Sequence, residues 1–132
     1  MTEKSITGYA TSALTQKLSA LSLGDGISTQ DGGWVSGEVT IGERKGKSFP
    51  IYSLEVEVPF EGTVDGKPVK GAARLPDVSL EMLDDLEVDF GGVDLGEDAA
   101  EAVRSAVREW AASVRKAVSE NLANLPLIMG YR

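Results

Sequence analysis

Between Trp34 and Phe60, apolar and polar side chains alternate in two runs. In the first, Val35, Val39 and Ile41 share one parity against Ser36, Glu38 and Thr40. In the second, Leu54, Val56, Val58 and Phe60 share one parity against Ser53, Glu55 and Glu57. A period of two sends successive side chains to opposite faces, so both runs read as strands with one buried face. They flank Arg44-Lys45-Gly46-Lys47, where Gly46 supplies the positive φ of a short hairpin loop. The same parity puts Phe49 and Ile51 on the polar face just beyond the tip. A bulge at Pro50 would shift the count and turn Phe49 inward.

The pattern elsewhere completes the architecture. Tyr9, Ala13, Leu14, Leu18 and Leu21 recur at helical spacing, which predicts an amphipathic helix from about Thr7 to Leu23, closed by Gly24-Asp25-Gly26. After an Asp65-Gly66 turn, Val69, Gly71, Ala73 and Leu75 form a third strand that Pro76-Asp77 ends. Ser79 caps a single helical turn through Leu83. Leu86, Val88 and Phe90 alternate against Glu87 and Asp89 as a fourth strand. The longest element runs from about Gly96 to Ala123, with Ala99, Val103, Val107, Trp110, Val114, Ala117, Val118 and Leu122 as its apolar stripe. At about 1.5 Å per residue it reaches roughly 40 Å, enough to cover a whole sheet. Pro126 stops it, and the pattern assigns no place to the tail at 127–132. The expectation is one α+β domain over residues 1–132: an N-terminal helix, a four-stranded meandering antiparallel sheet and a long C-terminal helix.

Composition narrows the chemistry. Cysteine and histidine are both absent, which removes disulfides, thiol nucleophiles, the commonest general base and the commonest metal ligand. No catalytic constellation emerges, since no spacing singles out a Ser-Lys pair and Gly91, Gly92 and Gly96 fit neither phosphate-binding glycine pattern. The acidic run from Asp84 to Asp98 fails as a calcium loop. Counted from Asp85, the turn glycine should stand where Phe90 is and the closing glutamate where Gly96 is. No cofactor and no metal are therefore expected. With 13 basic against 21 acidic residues the net charge is −8, which argues against nucleic acid or an anionic membrane as partner. No apolar run suits a membrane span or a signal peptide, so a cytoplasmic protein is expected.

Against that acidic background the tip stands out. Arg44, Lys45 and Lys47 crowd like charges together with only Glu43 adjacent. One reading is a charged hairpin end that discourages edge-to-edge pairing. The other is a docking point for an acidic or phosphate-bearing partner, with Phe49 and Ile51 as apolar contacts beside it.

Glu43-Arg-Lys-Gly-Lys47 between two strands, Val69-Lys-Gly-Ala-Ala-Arg-Leu-Pro-Asp-Val-Ser79 and a long closing helix together resemble the N-terminal domain of the activator of heat shock protein 90 ATPase. Gly8-Tyr-Ala and Gln16-Lys-Leu18 are similar to that domain's first helix, so the resemblance covers nearly the whole chain. It implies a co-chaperone, a monomer on its own, with no catalytic activity. Its partner would be the middle domain of heat shock protein 90, with the chaperone's N-terminal domain as a further candidate contact. It implies that Arg44, Lys45 and Lys47 meet the chaperone's catalytic-loop region and release it into the active position. Phe49, Ile51 and Leu80 would form an apolar contact patch, and Glu38 a polar contact. The chain departs from the family in three ways. It lacks the Asn- and Trp-rich opening segment, has Ile41-Gly42-Glu43 where asparagine is common, and has no counterpart of the family's second domain. It is thus expected to be a single-domain member or an excised fragment. Two rivals stand beside this reading: a small-molecule carrier gripping an apolar ligand between long helix and curved sheet, and an enzyme that works without histidine.

Overall fold

A computed structural model describes residues 4–24 and 26–121 of the chain. Strand β1 (Lys4–Ser5) leads directly into helix α1 (Thr7–Leu18). Strands β2 (Ser22–Gly24) and β3 (Ile27–Thr29) follow, then the long strands β4 (Trp34–Arg44), β5 (Lys47–Val64) and β6 (Lys67–Ser79). A 3-10 turn (Leu80–Met82) and a loop lead to helix α2 (Glu97–Asn121). The α+β class and the order of helix, antiparallel sheet and long closing helix are as the pattern predicts.

Among the described residues the sheet has six strands where the alternation predicts four. β4, β5 and β6 form the expected meander, and β3 continues the β4 side of β5, with Thr29 opposite Phe60. β2 pairs with β3, and β1 pairs with β4 through Lys4–Ile41 and Ser5–Thr40. The first helix ends five residues early, because Leu21 continues the helical spacing up to the glycine stop while Leu23 is in fact buried from a strand. Pro76 does not end the third strand. The register shifts between Leu54–Val78 and Val56–Leu75, and this bulge carries the chain past the proline without a ladder N–H.

The expected fourth strand, Leu86 to Phe90, is not one. Its alternation is real, for Leu86 and Phe90 are buried, but it meets the sheet only through a bridge between Arg74 and Asp89. Arginines from α2 take the place of a ladder. Arg104 Nε donates to the Leu86 carbonyl at 2.9 Å, and Arg108 Nε donates to the Leu83 carbonyl at 2.8 Å. Ser79 does precede the 3-10 turn, but its hydroxyl makes no capping hydrogen bond.

Both helices pack on one face of the sheet. Val39, Tyr52, Leu54, Val56, Val58, Phe60, Ala73 and Leu75 meet Ala10, Leu14, Val103, Val107, Trp110, Val114 and Val118 in a single buried core. The predicted stripe of α2 is its buried face, with Ala117 half-buried at the margin. Leu122, Ala123, Pro126 and the tail at 127–132 lie outside the described residues, as does Asp25 of the expected Gly24-Asp25-Gly26 stop. Among the described residues no helix is long and apolar enough to cross a membrane.

Candidate functional site

The β4–β5 hairpin turns through two residues, Lys45 at φ 54° and Gly46 at φ 77°. Positive φ at both central positions matches the right-handed twist of the flanking strands, which is why short hairpins favour it. Glycine takes that conformation freely, whereas Lys45 takes it against its own preference. The turn fixes the register: Arg44 opposite Lys47, Gly42 opposite Phe49, Ile41 opposite Pro50, Thr40 opposite Ile51 and Glu38 opposite Ser53. Pro50 therefore introduces no bulge. β6 reaches β5 only from Ser53 onward, so the missing Pro50 N–H falls on an unpaired flank.

With parity intact, Arg44, Lys47, Phe49, Ile51 and Glu38 share the face opposite the core. Ile51 is 39% exposed and Leu80 51%, while Phe49 is half-buried. The Phe49 ring and the Ile51 side chain close over Gly42. A Cβ there would stand 2.7 Å from Ile51 Cδ1 and 3.2 Å from Phe49 Cζ. Gly42→Ala is thus expected to push those two side chains aside, visible as changed aromatic and methyl chemical shifts. Both can swing outward, so the urea midpoint should correspond to a loss of no more than about 1 kcal/mol. A loss near 3 kcal/mol would mean that the ring is locked in place.

The predicted residues gather in part. Arg44, Lys45, Lys47, Phe49 and Ile51 form one cluster at the tip. Glu38 stands on the same face, roughly 20 Å from Arg44 at about 3.3 Å per residue. Leu80 reaches Phe49 from another direction, across a groove of about 530 Å³ that also borders Tyr52, Leu83, Ala111 and Arg115. A second cleft, of about 810 Å³, lies between the hairpin tip and the far part of α2, where Arg44, Lys45 and Lys47 face Arg115 and Ser119. Sequence periodicity does not mark Arg115, which reads as one more solvated cation beside the apolar stripe.

The charges differ sharply in their surroundings. Arg74, Arg104 and Arg108 each pair with a glutamate. Arg44, Lys45, Lys47 and Arg115 form no ion pair with any described residue. Arg44 and Lys47 also stand directly opposite each other, a like-charge pair that weakens a hairpin. Burial pushes the Tyr52 phenol up to about 12, and the nearby Arg115 guanidinium partly offsets the shift. The phenol is therefore a neutral hydrogen-bonding group at ordinary pH.

The acidic run from Asp84 to Asp98 serves local turns. Asp89 Oδ1 accepts from the Gly91 N–H at 2.9 Å and Asp94 Oδ1 from the Gly96 N–H at 3.2 Å. Glu97 pairs with Arg104. Among the described residues no group of acidic side chains is arranged to hold a metal ion.

Comparison with known proteins joins this geometry to a family. Residues 3–126 match the family described as activator of Hsp90 ATPase, N-terminal. Among solved structures, the chain is similar in fold to Aha-1 from Plasmodium falciparum. The TM-score there is 0.73 at 20% identity, covering 95% of this chain and 94% of that one. It is similar also to the N-terminal domain of human Aha1, with a TM-score of 0.64 at 19% identity, covering 87% of this chain and 96% of that one. Comparison with curated proteins returns no match.

Proposed function

The chain belongs to the activator of Hsp90 ATPase N-terminal family, and from that premise we propose that it is a co-chaperone that binds the middle domain of heat shock protein 90 and stimulates its ATPase. In this reading Arg44, Lys45 and Lys47 engage the chaperone's catalytic-loop region, Phe49, Ile51 and Leu80 supply the apolar contact, and Glu38 contributes a polar contact at the rim. The chain does no chemistry of its own. It acts by population shift, binding the ATPase-competent arrangement of the loop better than the resting one. A ligand moves such an equilibrium only by its differential affinity, so the contact must be with the part that rearranges.

The observation that supports this most is the tip. A chain of net charge −8 places Arg44 opposite Lys47, with Lys45 between them at φ 54° and only Glu43 adjacent, which forms no ion pair with them. Protection of a sheet edge needs one charge and not three held in mutual repulsion. Local conflict of this kind is the mark of a functional surface. The rival carrier reading has no comparable support, since buried side chains of α2 and the sheet form one core and the groove beside Tyr52 lies at its margin, next to exposed Leu80 and Arg115.

The test is the steady-state ATPase rate of heat shock protein 90 with and without the chain, at low salt and at roughly half-molar salt. Screening shortens the reach of exposed charges from about 10 Å at 0.1 M towards 3 Å at 1 M. Stimulation should therefore appear at low salt and fall several-fold at high salt, after correction for the chaperone's own salt response. No stimulation at either salt, with no binding, would overturn the reading.

A further inference from the structure

The two clefts beside the tip share Phe49 and Arg115 as walls. Meeting at that shared wall, they make up a two-part channel, one part between Arg44, Lys45 and Lys47 and the other reaching Leu80 and Leu83. We infer that this channel receives an extended acidic segment of the partner carrying one apolar side chain, and that Arg115 is a binding residue for it. The inference rests on the proposed docking to heat shock protein 90 and extends the surface from the hairpin onto α2.

Three features fix the chemistry of the occupant. Charge is the first. The tip cations and Arg115 line one cleft, and none is neutralised by a described carboxylate. The chain has 21 acidic residues available and still leaves this cleft positive, which suits an acidic guest. The second is the backbone. β5 pairs with β4 from Lys47 onward but with β6 only from Ser53 onward. Its flank from Ser48 to Tyr52 therefore has no ladder partner, and since Pro50 and Tyr52 are buried there, an extended guest would meet it at Ser48, next to the tip. Pro50 removes one donor from that edge, so side-chain contacts must carry much of the selection. The third is the groove floor. Phe49, Leu80, Leu83 and Ala111 give it apolar walls, with ample room for an apolar side chain. Tyr52 is held there by an edge-on contact with Trp110, ring centroids 5.2 Å apart.

Arg115 suits this role by its place on α2. Ala111, Val114 and Val118 face the core, and Arg115 emerges at the margin of that stripe with its side chain exposed. It is near enough to the Tyr52 phenol to act on it through space. Arg108, one wall further along, is occupied by the Leu83 carbonyl and Glu101. Of the two α2 cations that line these clefts, Arg115 is thus the one left for a guest.

The experiment is calorimetric titration of intact heat shock protein 90 with four variants of the chain at low salt. Arg115→Glu reverses the helix cation, and Ala112→Phe fills the groove from an exposed position. Lys67→Glu makes the same charge change at the opposite hairpin, beyond Val64, and the fourth variant reverses all three tip cations. Arg115→Glu should bind roughly tenfold more weakly than wild type, and Lys67→Glu within about twofold of it. Ala112→Phe should also weaken binding, with its unfolding midpoint unchanged. If Arg115→Glu and Ala112→Phe both behave like Lys67→Glu while the triple variant loses binding, the inference is overturned and the proposed function stands. If the wild-type chain does not bind, both fall.

Discussion

Reversing Arg44, Lys45 and Lys47 together to glutamate is expected to abolish stimulation of heat shock protein 90 and to weaken binding roughly a hundredfold. Each exposed contact is worth up to about 1 kcal/mol, and three such losses are joined by repulsion of similar size once the signs are reversed. The fold should not notice. Arg44 and Lys47 already oppose each other as like charges, and a glutamate pair in the same register repels no more than they do. Lys45 holds φ 54°, a strain that glutamate inherits rather than adds. Gly46, which does need its positive φ, is left alone. The unfolding midpoint of the triple variant should therefore match that of Lys67→Glu. Wild-type stimulation by a correctly folded triple variant would remove the tip from the mechanism, whatever the fate of Arg115.

How much of this could be read from the residues depends on how many neighbours each reading needs. Leu54, Val56, Val58 and Phe60 announce a strand because one face of β5 is buried along its length and the period is two. The outward placement of Ile51 follows from the same count, and it survives Pro50 because the proline meets an unpaired flank. The turn at Lys45-Gly46 is equally local. What fails is whatever depends on a distant partner. Leu21 fits a helix until β3 pairs with the chain beside it. Leu86, Val88 and Phe90 fit a strand until Arg104 and Arg108 occupy the carbonyls a ladder would use. Ile6 lies in a polar opening segment yet is 1% exposed, because β1 docks on β4 and carries it under the sheet. The contact residues divide in the same way. The tip and its two apolar neighbours share one hairpin and are legible together. Arg115 lies some seventy residues from Lys45 in sequence, and only the packing of α2 across the sheet brings them to one cleft.

That packing turns on Trp110, and its removal carries the largest stability effect expected in the molecule. The indole is 3% exposed. It stands edge-on to Tyr52 at an interplanar angle of 78° and donates from Nε1 to the Ala10 carbonyl at 2.9 Å. One side chain thus ties α2 to β5 and to α1. Trp110→Ala should cost about 3–5 kcal/mol, from lost burial and the cavity left behind, measured as a fall in the urea midpoint followed by circular dichroism. A domain of this size has about 5–15 kcal/mol in total, so the variant sits near the edge of folding. Trp110→Phe keeps an aromatic edge for Tyr52 and loses the bond to Ala10, and about 1–2 kcal/mol is expected. The milder variant separates architecture from contact. Its hairpin tip is untouched, so at a temperature where it is fully folded it should stimulate the chaperone nearly as well as wild type. The groove beside Tyr52 depends on the indole behind it, and any deficit should appear as weaker binding rather than as a lower rate at saturation. A loss below about 1 kcal/mol for Trp110→Ala would show that the helices hold the sheet without this contact, and the groove floor would then need another support.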